Sequence, residues 1–229
     1  MAVIFGFVMH DKESPALVIP AQDVYFVQDV INNQMEFPDC ALLRLDRKVT
    51  GHTPLPIRHI GKIDDDQSLV LISYPMGVPR KYDWGGKVYD NTPATYFAAN
   101  LDAYPGSSGG VVLNRDTLIV EGILVRGPES FETDWFEYCD RSIIVPDDEG
   151  YYGYWDEATR ITALSSLIPT YDVYIGIDPD NLVLTQSYTV LSEFKPVSLH
   201  LLTTYYWQII ARGASGEITG SIWEFTTGE

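Results

Sequence analysis

The residues of this sequence with the clearest chemical potential are two serines set among glycines, at Gly106-Ser107-Ser108-Gly109-Gly110. The apolar run Val111-Val112-Leu113 follows directly. Backbone N–H groups around such a hydroxyl can point at one spot, which is how a serine nucleophile and its oxyanion hole are built. Clusters of Gly and Ser also form ordinary turns, and on the pattern alone that alternative stays open.

A serine between glycines also occurs in the nucleophile elbow G-x-S-x-G, in which the chain runs from a strand through the serine into a helix. Here the serine leads into a predicted strand and then into the turn Asn114-Arg115-Asp116. The elbow also needs its acid and its histidine after the serine, and only His200 lies downstream. The pattern therefore favours a serine that precedes a β-strand.

With these residues the sequence resembles the trypsin-like (chymotrypsin-fold) serine peptidases, in their bacterial glutamyl endopeptidase-like branch. That family carries G-[DN]-S-G-[GS] at its nucleophile, and Ala99-Asn100-Leu101-Asp102 precedes the motif here in the matching place. The resemblance implies that Ser108 is the nucleophile and that the amides of Gly106 and Ser108 form the oxyanion hole. It also implies cleavage of a protein or peptide substrate by Ser-His-Asp acyl transfer. Ser107 stands where the family prefers Asp or Asn, which removes a polar anchor from the cradle.

The segment that begins at Asp39 matches a second family motif, D-x-A-L-x-R-L, in which the leading aspartate orients the catalytic imidazole. A carboxylate beside an apolar strand is costly to bury without a hydrogen bond, so Asp39 has a physical reason to need a partner. A solvent-exposed cap at the start of the strand is the alternative. By the same resemblance, Leu124, Val125, Arg126 and Gly127 form the strand edge on which an extended substrate pairs its backbone.

By the family resemblance, the candidate for setting the substrate preference is Asp102, which lies six residues before Ser108 (108 − 102). This is the position that forms the base of the specificity pocket in trypsin-like enzymes. A carboxylate there would favour Arg or Lys, yet glutamyl-specific relatives also carry an aspartate near this point. A solvated loop acid is the alternative for Asp102, so the choice between Glu and Arg or Lys stays open.

The family's histidine, which lies in an Ala-x-His-Cys-like turn well before the aspartate, has no counterpart here. His10 precedes Asp39 by 29 residues (39 − 10), but it follows the strand that in the family comes after the catalytic histidine. His52 and His59 lie in the predicted crossover between two barrels. We therefore expect a chain that is either N-terminally incomplete or naturally inactive, with a complementing N-terminal segment or self-association as its partner. A catalytically inactive binding or self-assembly module at the cell surface is the alternative function.

Composition excludes several classes of partner. The net charge of −17 argues against nucleic acid, because phosphate binding depends on clustered Lys and Arg. No apolar run approaches the length of about 18 residues that a membrane span needs, so no membrane insertion is expected. We expect no cofactor and no metal. Paired acids with aromatics can bind calcium or sugar, but we favour an ordinary surface loop for the acidic and aromatic stretch from Glu129 to Glu157. We expect no signal peptide in this chain, and an extracellular or cell-surface location is implied by the family resemblance alone.

Short apolar runs separated by turn residues, with almost no helical periodicity, predict an all-β chain. By the family resemblance, residues 1–164 form a two-barrel peptidase domain that lacks its histidine-bearing segment. Residues 170–229 resemble the last strands of a fibronectin type III sandwich without its first strands. In that resemblance Tyr205 fits the tyrosine corner and Trp207 fills the sandwich core.

Overall fold

A computed structural model of the chain describes residues 1–36, 38–143, 155–164, 169–189, 194–196, 198–213 and 216–228. Strands hold 47% of these residues and helices 5%, far below a third, which confirms the all-β class. The chain divides into two compact units, Met1–Ala163 and Leu164–Glu229. Residues 144–154, the middle of the acidic and aromatic stretch, lie outside the described part of the chain.

The strands of the first unit, in the order of the chain, are β1 (Ala2–Ile4), β2 (Val24–Gln34), β3 (Cys40–Leu45), β4 (Leu69–Ser73), β5 (Lys81–Asp83), β6 (Lys87–Asp90), β7 (Tyr96–Asn100), β8 (Val111–Asn114), β9 (Val120–Arg126), β10 (Phe131–Asp134), β11 (Cys139–Ser142) and β12 (Asp156–Arg160). Short 3-10 helices cover Ala21–Asp23, Pro75–Gly77 and Ile161–Leu164. The acidic stretch thus includes the β10–β11 hairpin and the inner strand β12. Our interpretation of that whole stretch as a surface loop was wrong at these strands.

The first sheet has the order β1-β2-β3, with antiparallel pairing throughout. Its packing centre is Tyr25, which is 1% exposed. The ring of Phe5 meets the Tyr25 ring edge-on at 5.4 Å, and the guanidinium of Arg47 lies 4.1 Å from its centroid. The sheet matters for the site because β3 begins directly after Asp39 and fixes the position of that residue.

The second sheet has the order β5-β4-β8-β9-β12-β7-β6 and carries the serines. Ser68 forms an antiparallel bridge with Lys87, so the β6 edge reaches back to the start of β4 and the sheet curls. The inner face packs a cluster of buried apolar side chains from Ile63, Leu69, Leu71, Val88, Phe97, Ala99, Leu101, Val112, Leu124 and Ala158. Burial of this cluster is the main source of stability for the strands that frame the site. The division of this unit into two barrels stays a prediction.

The central strand β9 carries a buried carboxylate, that of Glu121. Arg58 neutralises it through two hydrogen bonds, from Nε to Oε2 at 2.5 Å and from Nη2 to Oε1 at 2.9 Å. Asn114 also donates to Oε1 at 3.4 Å. Backbone bonds from Arg58 to Val120 and from Val120 to Pro56 hold this segment along the start of β9. A paired charge therefore anchors the strand whose far end reaches the serines.

The second unit is a single antiparallel sheet with the order β14-β13-β15-β16, and with β17 also paired to β15. Its strands are β13 (Thr170–Gly176), β14 (Val183–Thr189), β15 (Thr204–Gly213), β16 (Gly216–Thr219) and β17 (Trp223–Thr226). The Tyr205 hydroxyl accepts a hydrogen bond from the His200 amide at 3.0 Å, and the Tyr205 ring stacks on Phe225. Trp207 is half-buried and stacks on Trp223. No described helix is long and apolar enough to cross a membrane.

Candidate active site

The serines lie in a tight turn between β7 and β8. Gly106 and Gly109 both have positive φ angles, +88° and +85°, which favour glycine. The amide of Ser107 donates to the carbonyl of Tyr104, and the amide of Gly110 donates to the carbonyl of Ser107, both at 2.9 Å. Each of these bonds closes a turn of four residues, so the backbone folds back on itself around the two hydroxyls.

Two amides of this turn have no acceptor among the described residues, those of Gly106 and Ser108. Both residues line a cavity beside the turn. Amide hydrogens that lack a partner are available to a ligand oxygen. These are the two amides that the family resemblance assigns to the oxyanion hole.

The Ser107 hydroxyl is buried and braces the turn from inside. Its Oγ accepts a hydrogen bond from the Tyr104 amide at 3.2 Å and one from the Ser73 hydroxyl at 3.3 Å. From the sequence we expected the loss of a polar anchor at this position. The structure shows a shorter anchor instead, because the hydroxyl reaches partners that lie close to its own backbone.

The Ser108 hydroxyl, by contrast, is exposed and donates to the carbonyl of Val125 at 3.3 Å. In the described residues, which include all three histidines of the first unit, the hydrogen bond of this hydroxyl goes to Val125 and not to a histidine. His52 stacks on Phe5, with its Nε2 atom 3.3 Å from an oxygen of Asp23. His10 is exposed, and His59 is half-buried with a pKa lowered by burial.

Asp39 is half-buried at the start of β3, which is neither a fully buried site nor a fully exposed cap. One carboxylate oxygen lies 3.8 Å from Nη2 of Arg126, at the end of β9. The backbone carbonyl of Asp39 accepts a hydrogen bond from the Thr159 hydroxyl at 2.8 Å. Arg126 also lies 3.6 Å from a carboxylate oxygen of Glu157. In this structure the partner of Asp39 is thus a guanidinium.

The cavity beside Ser108 has a volume of about 170 Å³. Its lining comes from the serine turn, from the end of β9 with the loop after it, and from the start of β12: Ala103, Tyr104, Pro105, Gly106, Ser107, Ser108, Leu124, Arg126, Gly127, Pro128, Glu129, Ser130 and Asp156. A peptide side chain could enter such a cleft while its backbone lies beside Ser108.

Comparison with known families bears directly on this arrangement. Residues 8–120 match the model of the trypsin-like peptidase domain. The match includes Asp39 and the whole serine turn, and the curled all-β sheet is consistent with a trypsin-like fold. No curated protein matches the chain. The matched region therefore supports a trypsin-like peptidase domain, and with it a protein substrate.

Within the matched region, Asp102 is not among the residues that line the cavity. Asp102 is exposed, and its amide donates to a carboxylate oxygen of Asp83 at 3.0 Å. A buried carboxylate in the cavity wall belongs instead to Asp156, the first residue of β12. Asp156 is 7% exposed, and one of its oxygens accepts a hydrogen bond from the Leu101 amide at 3.3 Å. Burial, with smaller effects from the charges of Asp102 and Asp83, raises the pKa of Asp156 to about 7.

Sequence reasoning missed Asp156 because it lies in an acidic stretch that reads as a surface loop. One sequence signal could have indicated a strand here. In the short run Asp156–Arg160, Ala158 and Thr159 are uncharged, unlike the acidic residues of the stretch before them. The pairing of β12 with both β7 and β9 brings Asp156 beside the serine turn. That pairing joins segments far apart in the chain, which no local pattern reveals.

The predicted substrate edge is partly used by the protein itself. The carbonyl of Leu124 accepts from the Gly109 amide at 2.7 Å, and the Leu124 amide donates to the carbonyl of Gly110 at 2.9 Å. Arg126 and Gly127, which follow, both line the cavity. Leu124 lines the cavity too, and β12 pairs with β9 as far as Arg126, so the predicted edge is only partly open. Among the described residues, no group of His, Cys, Asp and Glu is arranged to hold a metal ion.

Proposed function

We propose that this chain provides the nucleophile-bearing part of a trypsin-like serine endopeptidase, with Ser108 as the acyl acceptor. The observation that carries the proposal is the serine turn. It presents one exposed hydroxyl and two unpartnered amides, those of Gly106 and Ser108, at the mouth of a cavity. In such a site the amides stabilise the negative charge that develops on the carbonyl oxygen of the scissile bond.

The reaction follows from these positions. Oγ of Ser108 attacks the peptide carbonyl carbon and forms an ester bond, its proton passes by way of a base to the leaving amine, and the C–N bond breaks. Water then hydrolyses the ester and restores the hydroxyl. Arg126 and Gly127 lie where the backbone of the peptide would run past the cavity. The glutamyl endopeptidase-like branch, suggested by the residues around Asp102, remains part of this proposal.

The base for this reaction is not provided by the histidines of the first unit, since none of them contacts Ser108 in the described residues. We propose that a further segment supplies the imidazole next to Asp39. The contact between Asp39 and Arg126 is long, at 3.8 Å, and an imidazole could replace it. In that arrangement Asp39 would orient the imidazole, as the family motif implies.

For the second unit we propose a fibronectin type III-like module. The contact between the Tyr205 hydroxyl and the His200 amide has the form of a tyrosine corner, and β15 pairs with three other strands in one antiparallel sheet. An extracellular or cell-surface location follows from the family resemblance and belongs to the same proposal.

The second candidate function is a peptide-binding module that does not cleave. Two contacts favour it: the pairing of Asp39 with Arg126, and the hydrogen bond from Ser108 to Val125. Both use groups that a working triad would direct at an imidazole and at the substrate. In this function the cavity would still hold a side chain, but Ser108 would not be acylated.

The two functions differ in the cleavage of fluorogenic peptides that end in Glu, Arg or Lys before the reporter group. We expect very slow hydrolysis by the protein alone, faster hydrolysis when free imidazole or a histidine-bearing peptidase segment is added, and no hydrolysis by Ser108→Ala under any condition. Equal rates for the two proteins would refute the peptidase proposal. Binding of the same peptides without cleavage, even with imidazole, would favour the second function.

A further inference from the structure

The side chain of Arg126, the last residue of β9, lies near two carboxylates, those of Asp39 and Glu157. We propose that Arg126 is a displaceable blocking residue. Its guanidinium holds Asp39 until an imidazole-bearing segment takes this place, and Glu157 then keeps the displaced guanidinium. The inference rests on the proposed function for the role of Asp39 in catalysis. The competition between guanidinium and imidazole for Asp39 does not depend on acylation of Ser108.

A chain of contacts places Arg126 between the two residues that an imidazole would join. The Ser108 hydroxyl donates to the carbonyl of Val125, the residue directly before Arg126. From there the Arg126 side chain reaches Asp39, with Nη2 3.8 Å from a carboxylate oxygen. A triad imidazole bonds the acid through one ring nitrogen and the serine hydroxyl through the other. Such an imidazole needs the carboxylate that Arg126 contacts, so the two groups compete for Asp39.

The contacts of Arg126 with the two carboxylates are weak. At 3.8 Å and 3.6 Å, both are longer than a hydrogen bond of about 2.7–3.2 Å. The Arg126 side chain is 49% exposed, and those of Asp39 and Glu157 are 32% and 28% exposed. Ion pairs that are this open to water contribute little to stability. An imidazole that donates a hydrogen bond of normal length to Asp39 can therefore replace the guanidinium.

Asp39 keeps its position when Arg126 moves. Its backbone carbonyl accepts a hydrogen bond from the hydroxyl of Thr159, a buried residue of β12, at 2.8 Å. Glu157 lies on the same strand and is the direct partner of Arg126 in the pairing of β9 with β12. Side chains that face each other across two strands stay within reach of each other. The guanidinium thus moves onto Glu157 by rotation of its side chain, and no strand has to shift.

A guanidinium next to Asp39 keeps the site inactive. In proteins this group is always protonated, so it cannot accept the proton of the Ser108 hydroxyl. It also contacts the acid that would orient a base. Loss of the guanidinium alone provides no base, and so it should not activate Ser108. It should instead make the site more receptive to an imidazole that comes from outside the chain.

The test measures the rate at which a fluorophosphonate labels Ser108 as the concentration of free imidazole is raised. Arg126→Met should reach half of its maximal rate at about fivefold less imidazole than wild type, because no ion pair has to be displaced. Arg126→Lys, which keeps a cation, should stay close to wild type. Arg44→Met, which breaks a similarly long and exposed ion pair with Asp29 at 3.9 Å, is the matched control and should behave as wild type. Equal imidazole requirements for Arg126→Met and wild type would overturn the inference.

Two further variants test the parts of the two carboxylates. Arg126→Met combined with Asp39→Asn should lose the gain of the single variant, because the contested carboxylate is absent. Glu157→Gln should raise the imidazole requirement above that of wild type, because the displaced guanidinium has lost the carboxylate that receives it. An unchanged requirement in Glu157→Gln would contradict the part assigned to Glu157.

Binding of imidazole, measured by NMR saturation transfer to its ring protons, separates this inference from the proposed function. Arg126→Met should bind imidazole about fivefold more tightly than wild type, and the difference should vanish when Asp39 is replaced by Asn. If this difference is found and Ser108 is never labelled, the proposed function fails and the inference stands. If imidazole accelerates labelling but both proteins bind it equally, the inference fails and the proposed function stands. Circular dichroism and thermal melting show whether each variant is folded.

Discussion

The carboxylate of Asp156 lies directly beneath Gly127, so that a Cβ on this glycine would overlap the Oδ1 atom. The two residues are 29 positions apart in the chain (156 − 127) and meet because β12 pairs with β9. Both residues line the cavity beside Ser108. It also gives the protein a buried acid whose ionisation costs stability.

We predict that Asp156→Asn gains stability relative to wild type as pH rises. The folded protein holds the pKa of Asp156 at about 7, against 3.8 as the ordinary value, so wild type loses stability between pH 4 and pH 7 as the unfolded chain ionises first. At about 1.4 kcal/mol per pH unit, this loss of unfolding free energy is up to about 4 kcal/mol. Urea unfolding of both proteins at pH 4, 5.5 and 8 measures the loss. A difference between the two proteins that does not change with pH would contradict this.

Loss of the cation beside Glu121 should unfold the protein far more readily than loss of an exposed ion pair. Arg58→Met leaves a buried carboxylate on β9 without its two charged hydrogen bonds, which costs about 3–5 kcal/mol. Arg141→Met, which breaks the exposed pair with Asp134, is the matched control and should cost less than about 1 kcal/mol. Replacement of Glu121 by Leu in the Arg58→Met background should restore much of the loss. Similar costs for the two single variants would show that Glu121 is not desolvated.

The serine turn offers a comparison between two glycines with nearly the same backbone conformation. Gly106→Ala and Gly109→Ala both place a Cβ at positive φ, which costs about 1–2 kcal/mol in each case. Only at Gly106 would the new Cβ also meet the backbone, at 2.9 Å from the Met76 amide nitrogen, so only this variant should displace the Gly106 amide. Removal of an oxyanion donor costs about a hundredfold in rate or more. We therefore expect Gly106→Ala to react with a fluorophosphonate much more slowly than Gly109→Ala, and equal rates would count against the assigned oxyanion hole.

Local patterns in the sequence were enough to predict the all-β class and the turn around Ser108, because glycine positions and alternating apolar residues report backbone conformation directly. They could not reveal Asp156, which becomes part of the site only through the pairing of β12. The buried ion pair of Arg58 and Glu121 could not be predicted for the same reason, because its members are 63 positions apart in the chain. Contacts across a sheet depend on register and order of strands, which a single sequence does not state.

The most direct test of the central claim is the rate at which a fluorophosphonate labels Ser108, followed by intact mass and by localisation of the modified residue. The account predicts slow labelling at Ser108 only, an increase in rate with added imidazole, and no labelling of Ser108→Ala. A base is needed to activate a serine hydroxyl at neutral pH, and no histidine of the first unit contacts this one in the described residues. Rapid labelling that His10→Ala abolishes would show that this chain supplies its own base. Labelling that persists in Ser108→Ala would show that Ser108 is not the nucleophile.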